Sequence, residues 1–274
     1  MRPFRFLATV DENPGFAELA SLARKAEAVG CSAFVLPDHL IGQYAAMPLL
    51  AMVAAVTERL RVGTFVLNVC LRHPAVLAQD LATLDALSGG RLEIGLGAGW
   101  NKPEYDAIGI PFEPVGARIE RLTETIAILK GCFAEGPFSF AGAHFTITGH
   151  DAVPKPAQRP HPPMFVGGGG KRLLTLAGRE AQIVGLAPRL VQGDTPRVDA
   201  WSLTAAATEQ KIGWVRAAAG DRFADLELNT YPSGGPTLVT ANPRAEALRR
   251  ADRIRAQTGV ERSEEHTSEL QSLV

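Results

Sequence analysis

The feature that most constrains the fold is an alternation of short apolar segments with longer segments of helical periodicity. Seven segments have the apolar composition of strands, at residues 4–9, 33–36, 62–67, 92–96, 164–166, 183–186 and 226–230. The third is apolar almost throughout, which is typical of a parallel strand covered by helices on both faces. Repeated strand–helix units predict an α/β fold, either an open doubly wound sheet or a closed (β/α)8 TIM barrel. Seven units with an eighth missing favour the barrel.

The helical segments are long enough to connect parallel strands. They lie at residues 48–60, 74–87, 118–132, 172–179 and 204–218, with one more before Gly30 and another starting near Asn242. After the fourth strand, Asn101, Lys102 and Pro103 follow where no helix is predicted. A segment rich in proline and glycine, from about residue 133 to 162, interrupts the rhythm, which then resumes. We therefore interpret it as an insertion in one domain that spans residues 1–261.

The last residues do not follow this pattern. Residues 262–274 have no apolar period, and most of them match an in-frame translation of a common sequencing adapter, so we expect a non-native tail. The barrel would then be truncated before its eighth strand. In that case the first and seventh strands would have unpaired edges.

Composition and charge exclude several classes of partner. Of the 274 residues, 46% are hydrophobic and 21% are charged, enough for a sizeable core. The formal net charge is −1 and the basic residues are scattered, so nucleic acid is not an expected partner. There is no signal-peptide core, and the longest uncharged run is interrupted by Gln43 and Pro48, so we expect a cytoplasmic protein without a membrane span.

The three cysteines indicate reduced thiols. Cys31, Cys70 and Cys132 are odd in number, far apart and set in apolar stretches, which favours neither disulfides nor a metal site. No cluster of histidine, cysteine and acidic residues has metal-ligand spacing, so we expect no metal.

Asp38 and His39 follow the second predicted strand directly. In parallel α/β folds the carboxyl ends of the strands carry the chemistry. A carboxylate beside an imidazole can give or take a proton near neutral pH, so both residues are candidate catalytic groups. The alternative is a helix cap followed by a surface histidine.

The fourth strand runs into a glycine-rich turn that ends in Gly99 and Trp100. The spacing Gly95-x-Gly97-x-Gly99 is not the dinucleotide fingerprint, so a Rossmann site is not indicated. We interpret the glycines as room for a flat ring against the backbone, with Trp100 as a stacking wall. A tight turn with a core tryptophan is the alternative.

A second glycine-rich segment ends the fifth strand and opens a helix: Gly167, Gly168, Gly169, Gly170, Lys171 and Arg172. Free backbone N–H groups, a helix N-terminus and two cations favour a bound phosphate. Glycine in such a run has an entropy cost, and we expect no packing return for it. The spacing is not that of a Walker motif, and a flexible turn is the alternative.

Several of these segments together resemble a known family. Arg72-His73-Pro74 leads to Ala82-Thr83-Leu84-Asp85-x-Leu87-Ser88-Gly89-Gly90-Arg91 and then Gly97-Ala98-Gly99-Trp100. This series resembles the luciferase-like monooxygenases and their F420-dependent relatives. Pro154-Lys155-Pro156 and Arg159-Pro160-His161-Pro162-Pro163, followed by the four glycines, are similar to an actinobacterial branch of F420-dependent oxidoreductases.

The resemblance implies a (β/α)8 barrel with the deazaflavin coenzyme F420 at the carboxyl ends of the strands. Asp38 and His39 would lie beside the deazaflavin ring, with His39 as proton donor. Val66 matches a residue at a non-prolyl cis peptide that supports the ring, so Phe65–Val66 is the candidate bond. Asn68 would contact the ring, and Gly169 and Gly170 would lie near the phosphate tail.

One residue departs from the pattern of a sugar-phosphate dehydrogenase in this superfamily. That enzyme has a catalytic glutamate at the position of Trp100, so we expect reduction of a conjugated, hydrophobic substrate instead of sugar oxidation. The resulting expectation is an F420-dependent oxidoreductase that transfers a hydride, with His39 or water supplying a proton. An FMN-dependent monooxygenase using oxygen and a non-catalytic flavin-binding barrel are the alternatives. The resemblance also implies a homodimer.

Overall fold

The computed structural model describes residues 3–10, 13–191 and 197–230, with isolated residues between 242 and 256. The chain divides into two compact units. The first is Met1–Gly167 with Glu180–Ile183, and the second is Gly168–Arg179 with Val184–Val274. The predicted tail at residues 262–274 lies outside the described residues.

The first unit contains most of the predicted strand–helix repeats. Its strands are β1 (Leu7–Ala8), β2 (Ala33–Leu36), β3 (Arg61–Thr64), β4 (Leu67–Asn68), β5 (Leu92–Gly97), β6 (Phe138–Ala141), β7 (Thr146–His150) and β8 (Met164–Gly168), the last of which ends in the second unit. Its helices are α1 (Phe16–Ala28), α2 (Ala46–Val56), α3 (Pro74–Leu87), α4 (Lys102–Ile108) and α5 (Val115–Phe133). The strand order is β1-β2-β3-β5-β8, with β4 also paired to β5. Neighbouring strands in this order run parallel, as predicted.

The second unit continues the alternation. It contains α6 (Lys171–Glu180), β9 (Ile183–Leu186), β10 (Leu190–Val191), β11 (Arg197–Val198), α7 (Ala205–Ala219) and β12 (Glu227–Thr230). The strand β9 is the neighbour of β12, while β10 and β11 form a separate antiparallel pair. On α7 the buried Lys211 ammonium donates to the carbonyl oxygens of Ala187, at 2.9 Å, and Ser202, at 2.7 Å.

Buried apolar residues fall where the sequence predicts them in β2, β5 and α3, whereas the strand predicted at residues 4–9 is only Leu7–Ala8 and leaves Phe4 and Phe6 exposed. All four residues of β2 and all six of β5 are buried. Helix α3 buries Leu77, Leu81 and Leu84, its predicted face. The strand predicted at residues 62–67 is instead two short strands, because Phe65 and Val66 interrupt the ladder between β3 and β4.

One expectation about the helices is wrong. The sequence after Trp100 was expected to contain no helix, yet α4 begins at Lys102, with Pro103 in its first turn. Proline fits a first helical turn because its missing N–H would have no intrahelical partner there. The helix has seven residues, too few for an apolar period to mark it.

The Ser88-Gly89-Gly90-Arg91 motif has a structural role, because Arg91 binds several backbone carbonyl groups. The Arg91 guanidinium donates to the carbonyl oxygens of Ala54, at 2.7 Å, and Leu60, at 2.9 Å. It also donates to the carbonyl oxygen of Ser88 at 2.6 Å. Arg91 thereby ties the end of α2 to the start of β5, and burial lowers its pKa.

The predicted insertion contains the antiparallel β6–β7 hairpin. Its tip is held by Glu124 on α5, whose carboxylate accepts hydrogen bonds from the backbone N–H groups of Ala143, His144 and Phe145. A Cβ at Gly142 would lie 2.4 Å from the Glu124 carboxyl carbon, so a larger residue there would displace this carboxylate. No helix in the described part of the chain is long and apolar enough to cross a membrane.

Candidate active site

The candidate site lies where β2, β4 and β5 end in the first unit. Leu36 at the end of β2 pairs with Thr64 of β3, and Asn68 of β4 pairs with Gly97 of β5. Because these strands are parallel and in register, the residues that follow them meet at one edge of the sheet. Asp38, His39, Gly99 and Trp100 come from this edge.

Asp38 ties two strand ends together. Its carboxylate is buried and accepts hydrogen bonds from both terminal nitrogens of Arg72, one of them at 2.9 Å. It also accepts from the backbone N–H of Asn68 at 3.0 Å. A carboxylate held by a bidentate guanidinium is strongly fixed, and this set of donors suits positioning. The catalytic role of Asp38 stays a prediction.

His39 is held between an acid and an indole. Its Nδ1 lies 2.9 Å from Oε1 of Glu104, and its ring meets Trp100 edge-on with centroids 5.7 Å apart. The His39 side chain is 30% exposed, whereas that of Glu104 is 2% exposed. This arrangement is neither a helix cap nor an isolated surface histidine. One ring nitrogen is anchored, and the ring remains accessible.

Glu104 was not found from the sequence. Its signal was the proline at position 103, which marks a first helical turn and would have placed Glu104 on a helix beside the glycine-rich turn. Without α4, the sequence offered no reason to bring residue 104 near residue 39.

Asn68 is the centre of a buried polar cluster. Its side-chain oxygen accepts hydrogen bonds from the Tyr105 hydroxyl, at 2.9 Å, and from the backbone N–H of Cys70, at 3.1 Å. Burial raises the pKa of the Tyr105 hydroxyl and of the Cys70 thiol, so both stay protonated near neutral pH. The ring contact predicted for Asn68 stays a prediction.

The glycines of the turn have packing reasons that sequence reasoning missed. A Cβ at Gly95 would lie 1.9 Å from the Thr64 carbonyl oxygen, and one at Gly97 would lie 2.5 Å from Val66 Cγ2. Gly99 has a φ of +73°, and a Cβ there would lie 2.0 Å from the Tyr105 hydroxyl oxygen. Close packing therefore accounts for all three, and ring binding by Gly99 and Trp100 stays a prediction.

Arg118 on α5 stabilises the turn that contains Gly99 and Trp100. The buried guanidinium donates to the carbonyl oxygen of Gly99 and lies 4.0 Å from the ring centroid of Phe112. Burial lowers the pKa of Arg118. The turn that carries Trp100 is therefore fixed by a side chain as well as by its glycines.

The peptide bond between Phe65 and Val66 is cis, as predicted. The Phe65 ring packs against Phe165, with centroids 5.1 Å apart. Val66 lies against Gly97 of β5. The ring-supporting role of Phe65 and Val66 stays a prediction.

The predicted phosphate-binding segment belongs to the second unit. Helix α6 begins at Lys171, and the Gly170 carbonyl accepts the backbone N–H of Leu174 at 3.0 Å. A Cβ at Gly168 would lie 2.3 Å from Leu173 Cδ2, and one at Gly169 would lie 2.4 Å from the Pro188 carbonyl oxygen. The expectation of no packing return is therefore wrong at Gly169, where a side chain would overlap backbone atoms, whereas at Gly168 it would meet the flexible Leu173 side chain. Phosphate binding by Gly168, Gly169, Gly170, Lys171 and Arg172 stays a prediction.

Comparison with known proteins identifies the family. The family model for luciferase-like monooxygenases matches residues 1–272. The chain belongs to the luciferase-like monooxygenase family. The family resemblance seen in the sequence is thereby confirmed, and the relatives of this luciferase-like protein include F420-dependent and FMN-dependent oxidoreductases.

Two curated relatives represent these two coenzymes. An FMNH2-dependent dimethylsulfone monooxygenase from Pseudomonas putida is 32% identical over 208 residues, which cover 76% of this chain and 54% of that protein. An F420-dependent glucose-6-phosphate dehydrogenase from Kineococcus radiotolerans is 34% identical over 170 residues, which cover 59% of this chain and 50% of that protein. The luciferase-like chain thus spans about half the length of these relatives.

Solved structures confirm the predicted fold class. The coenzyme F420-dependent tetrahydromethanopterin reductase from Methanopyrus kandleri superposes with a TM-score of 0.70 at 23% identity, covering 83% of this chain and 65% of that one. The fold is the luciferase-like TIM barrel, and this likeness shows the fold alone.

Proposed function

We propose that this protein is an F420-dependent oxidoreductase that transfers a hydride between the deazaflavin and a small, hydrophobic organic substrate. The observation that carries the proposal is the His39 ring, anchored to Glu104 and set against Trp100 at the carboxyl ends of β2 and β5. It supplies a proton-transferring group beside a surface suited to a flat ring.

The residues at these strand ends fit a flat coenzyme ring. Trp100 is 45% exposed, and the rings of His39 and Trp100 are roughly perpendicular to each other. Asp38 and Glu104 are both buried, and they are already bound to Arg72 and His39, respectively. F420, when bound, would supply the hydride chemistry. His39 would donate a proton from Nε2 to the substrate, and Asp38 and Asn68 would hold the strand ends in place.

A hydrophobic substrate follows from the side chains after β2. Leu40, Ile41 and Tyr44 are all substantially exposed, like Trp100. Exposed large apolar residues close to a candidate site favour apolar ligands. A glutamate base at position 100 is absent, and Glu104 is occupied by His39, so sugar oxidation through such a base is not proposed.

A second candidate is an FMN-dependent monooxygenase. It is favoured by the dimethylsulfone monooxygenase, whose match covers more of this chain than the match to the F420-dependent dehydrogenase does. The coenzyme decides between the two, because a deazaflavin does not form a useful peroxide with oxygen.

A titration tests the proposal. Purified protein is titrated with F420 and, separately, with FMN, and binding is followed by absorbance. We expect F420 to bind more tightly. Tighter binding of FMN would support the monooxygenase instead, and binding of neither would reject both.

The same titration, repeated with variants, tests the predicted phosphate-binding segment. Lys171→Glu combined with Arg172→Glu should weaken the binding of F420 more than the binding of a deazaflavin that lacks the phosphate tail. Lys25→Glu combined with Arg24→Glu on α1 gives the same change of net charge as a control. Equal losses for both deazaflavins would remove the phosphate role.

A further inference from the structure

Helix α4 buries two adjacent side chains and exposes the rest. Glu104 is 2% exposed and Tyr105 is fully buried, while the other residues of Lys102–Ile108 are exposed. Tyr105 donates its hydroxyl hydrogen to Asn68 and packs edge-on against Phe112, with centroids 4.9 Å apart. Tyr105 therefore anchors the helix to the end of β4, which leaves Glu104 beside the residue that follows β2.

The buried carboxylate of Glu104 needs a hydrogen-bond partner. A buried carboxylate without one is costly, because it loses its hydration. The structure provides Nδ1 of His39 at 2.9 Å. An ionised carboxylate can only accept a hydrogen bond, so the proton in this contact belongs to Nδ1. In the neutral ring, Nε2 is then the nitrogen without a proton.

We infer that Glu104 is a positioning residue that fixes His39 in the Nδ1–H tautomer and reserves Nε2 for proton exchange with the substrate. The use of Nε2 rests on the proposed function, whereas the tautomer does not. When Nε2 gives its proton to the reduced substrate, the neutral ring keeps its remaining proton on Nδ1, in contact with Glu104. The ring then needs no rotation to take up the next proton at Nε2.

Nitrogen NMR of the imidazole rings tests this inference. Protein labelled with ¹⁵N-histidine is examined at a pH at which His39 is neutral, and its signals are identified by their loss in His39→Gln. We expect the Nδ1–H pattern in the natural sequence. In Glu104→Ala the pattern should move toward the mixture of Nδ1–H and Nε2–H tautomers of a solvent-exposed histidine side chain. The matched control is Asp106→Ala, which removes an exposed acid from the same helix and should leave the His39 signals unchanged.

Two results would overturn the inference. One is an Nε2–H pattern for His39 in the natural sequence, which needs no variant and holds even if Glu104→Ala does not fold. The other is an unchanged His39 pattern in folded Glu104→Ala. These spectra are recorded without coenzyme or substrate. If the protein bound neither F420 nor FMN, the proposed function would be rejected, but the tautomer result would stand.

Discussion

Gly99 shows how tightly a single position of the site is constrained. Its φ of +73° disfavours any other residue, and the space for a side chain is filled by Tyr105 and Asn68. Gly109, at the other end of α4, has a φ of +72°, but a Cβ there would meet no atom of the described residues within 4 Å. The two glycines therefore separate backbone strain from steric overlap.

The first prediction compares alanine at these two positions. Gly109→Ala should lower the free energy of unfolding by about 1 kcal/mol, because only the backbone is strained. Gly99→Ala should cost about 3 kcal/mol, since strain and overlap act together. Urea denaturation measures both. Equal losses would mean that the contacts of Gly99 relax freely.

The second prediction concerns His39. His39→Ala should lower the turnover of reduced F420 with a conjugated, hydrophobic ketone by roughly 10²-fold, as expected for loss of a general acid. Coenzyme affinity and folding should change little. His150→Ala, at an exposed position of β7, is the control and should keep full turnover. Unchanged turnover in His39→Ala would contradict the proposed role of this histidine as the general acid.

At the scale of the elements, a side chain on one element can bind the backbone of a loop that leads into another. Glu27 on α1 accepts hydrogen bonds from the backbone N–H groups of Glu58, Arg59 and Leu60, which lead into β3. The N–H groups of Arg59 and Leu60 are the main reason that the pKa of Glu27 is lowered. A lowered carboxyl pKa means that the folded protein binds the proton less readily than the unfolded chain.

The third prediction is a pH dependence. The stabilisation by Glu27 should be complete above the pKa of an ordinary glutamate, about 4.3, and disappear as the pH falls through its lower folded value. Glu27→Gln should therefore lower the free energy of unfolding by about 1 kcal/mol at neutral pH, and its difference from the unsubstituted protein should shrink in acid. Thermal unfolding between pH 3 and 7 measures it. Glu58→Gln, which changes an exposed carboxylate that accepts none of these hydrogen bonds, is the control. A difference for Glu27→Gln that stays constant with pH would contradict the cap.

The elements also show what the sequence could and could not predict. Helices α3 and α5 are long enough for their apolar periods to reveal them, as Leu77, Leu81 and Leu84 illustrate. Parallel strand ends brought Asp38, His39 and Trp100 to one edge, as predicted. Helix α4 was missed because seven residues carry too little periodicity, and Glu104 was missed with it.

At the scale of the whole molecule, the alternation of strands and helices was sufficient to predict the fold class, because only a few architectures bury repeated parallel strands. Glycine, in contrast, was ambiguous. The same residue type serves turns, close packing and ligands, and only the structure shows that a Cβ at Gly95, Gly97 or Gly169 would overlap protein atoms. Site predictions from glycine alone are therefore weaker than predictions from strand ends.

The fourth prediction follows from mass action. A coenzyme that binds only the folded chain should add about 2.7 kcal/mol to the free energy of unfolding at 100 times its Kd. For a chain of this length, that corresponds to a rise in Tm of roughly 5–10 °C. Differential scanning fluorimetry with F420 and with FMN at matched multiples of their Kd measures it. No rise with a coenzyme that binds would show that it also binds the unfolded chain.

The β6–β7 hairpin carries a consequence for hydrogen exchange. Its tip is at the surface, where amide protons normally exchange rapidly with water. The N–H groups of Ala143, His144 and Phe145 are nevertheless bound by the Glu124 carboxylate. Their exchange should be slow, and Glu124→Ala should make all three fast together while the amides of α5 keep their protection. One side chain thus gives a surface turn the protection pattern of a buried strand.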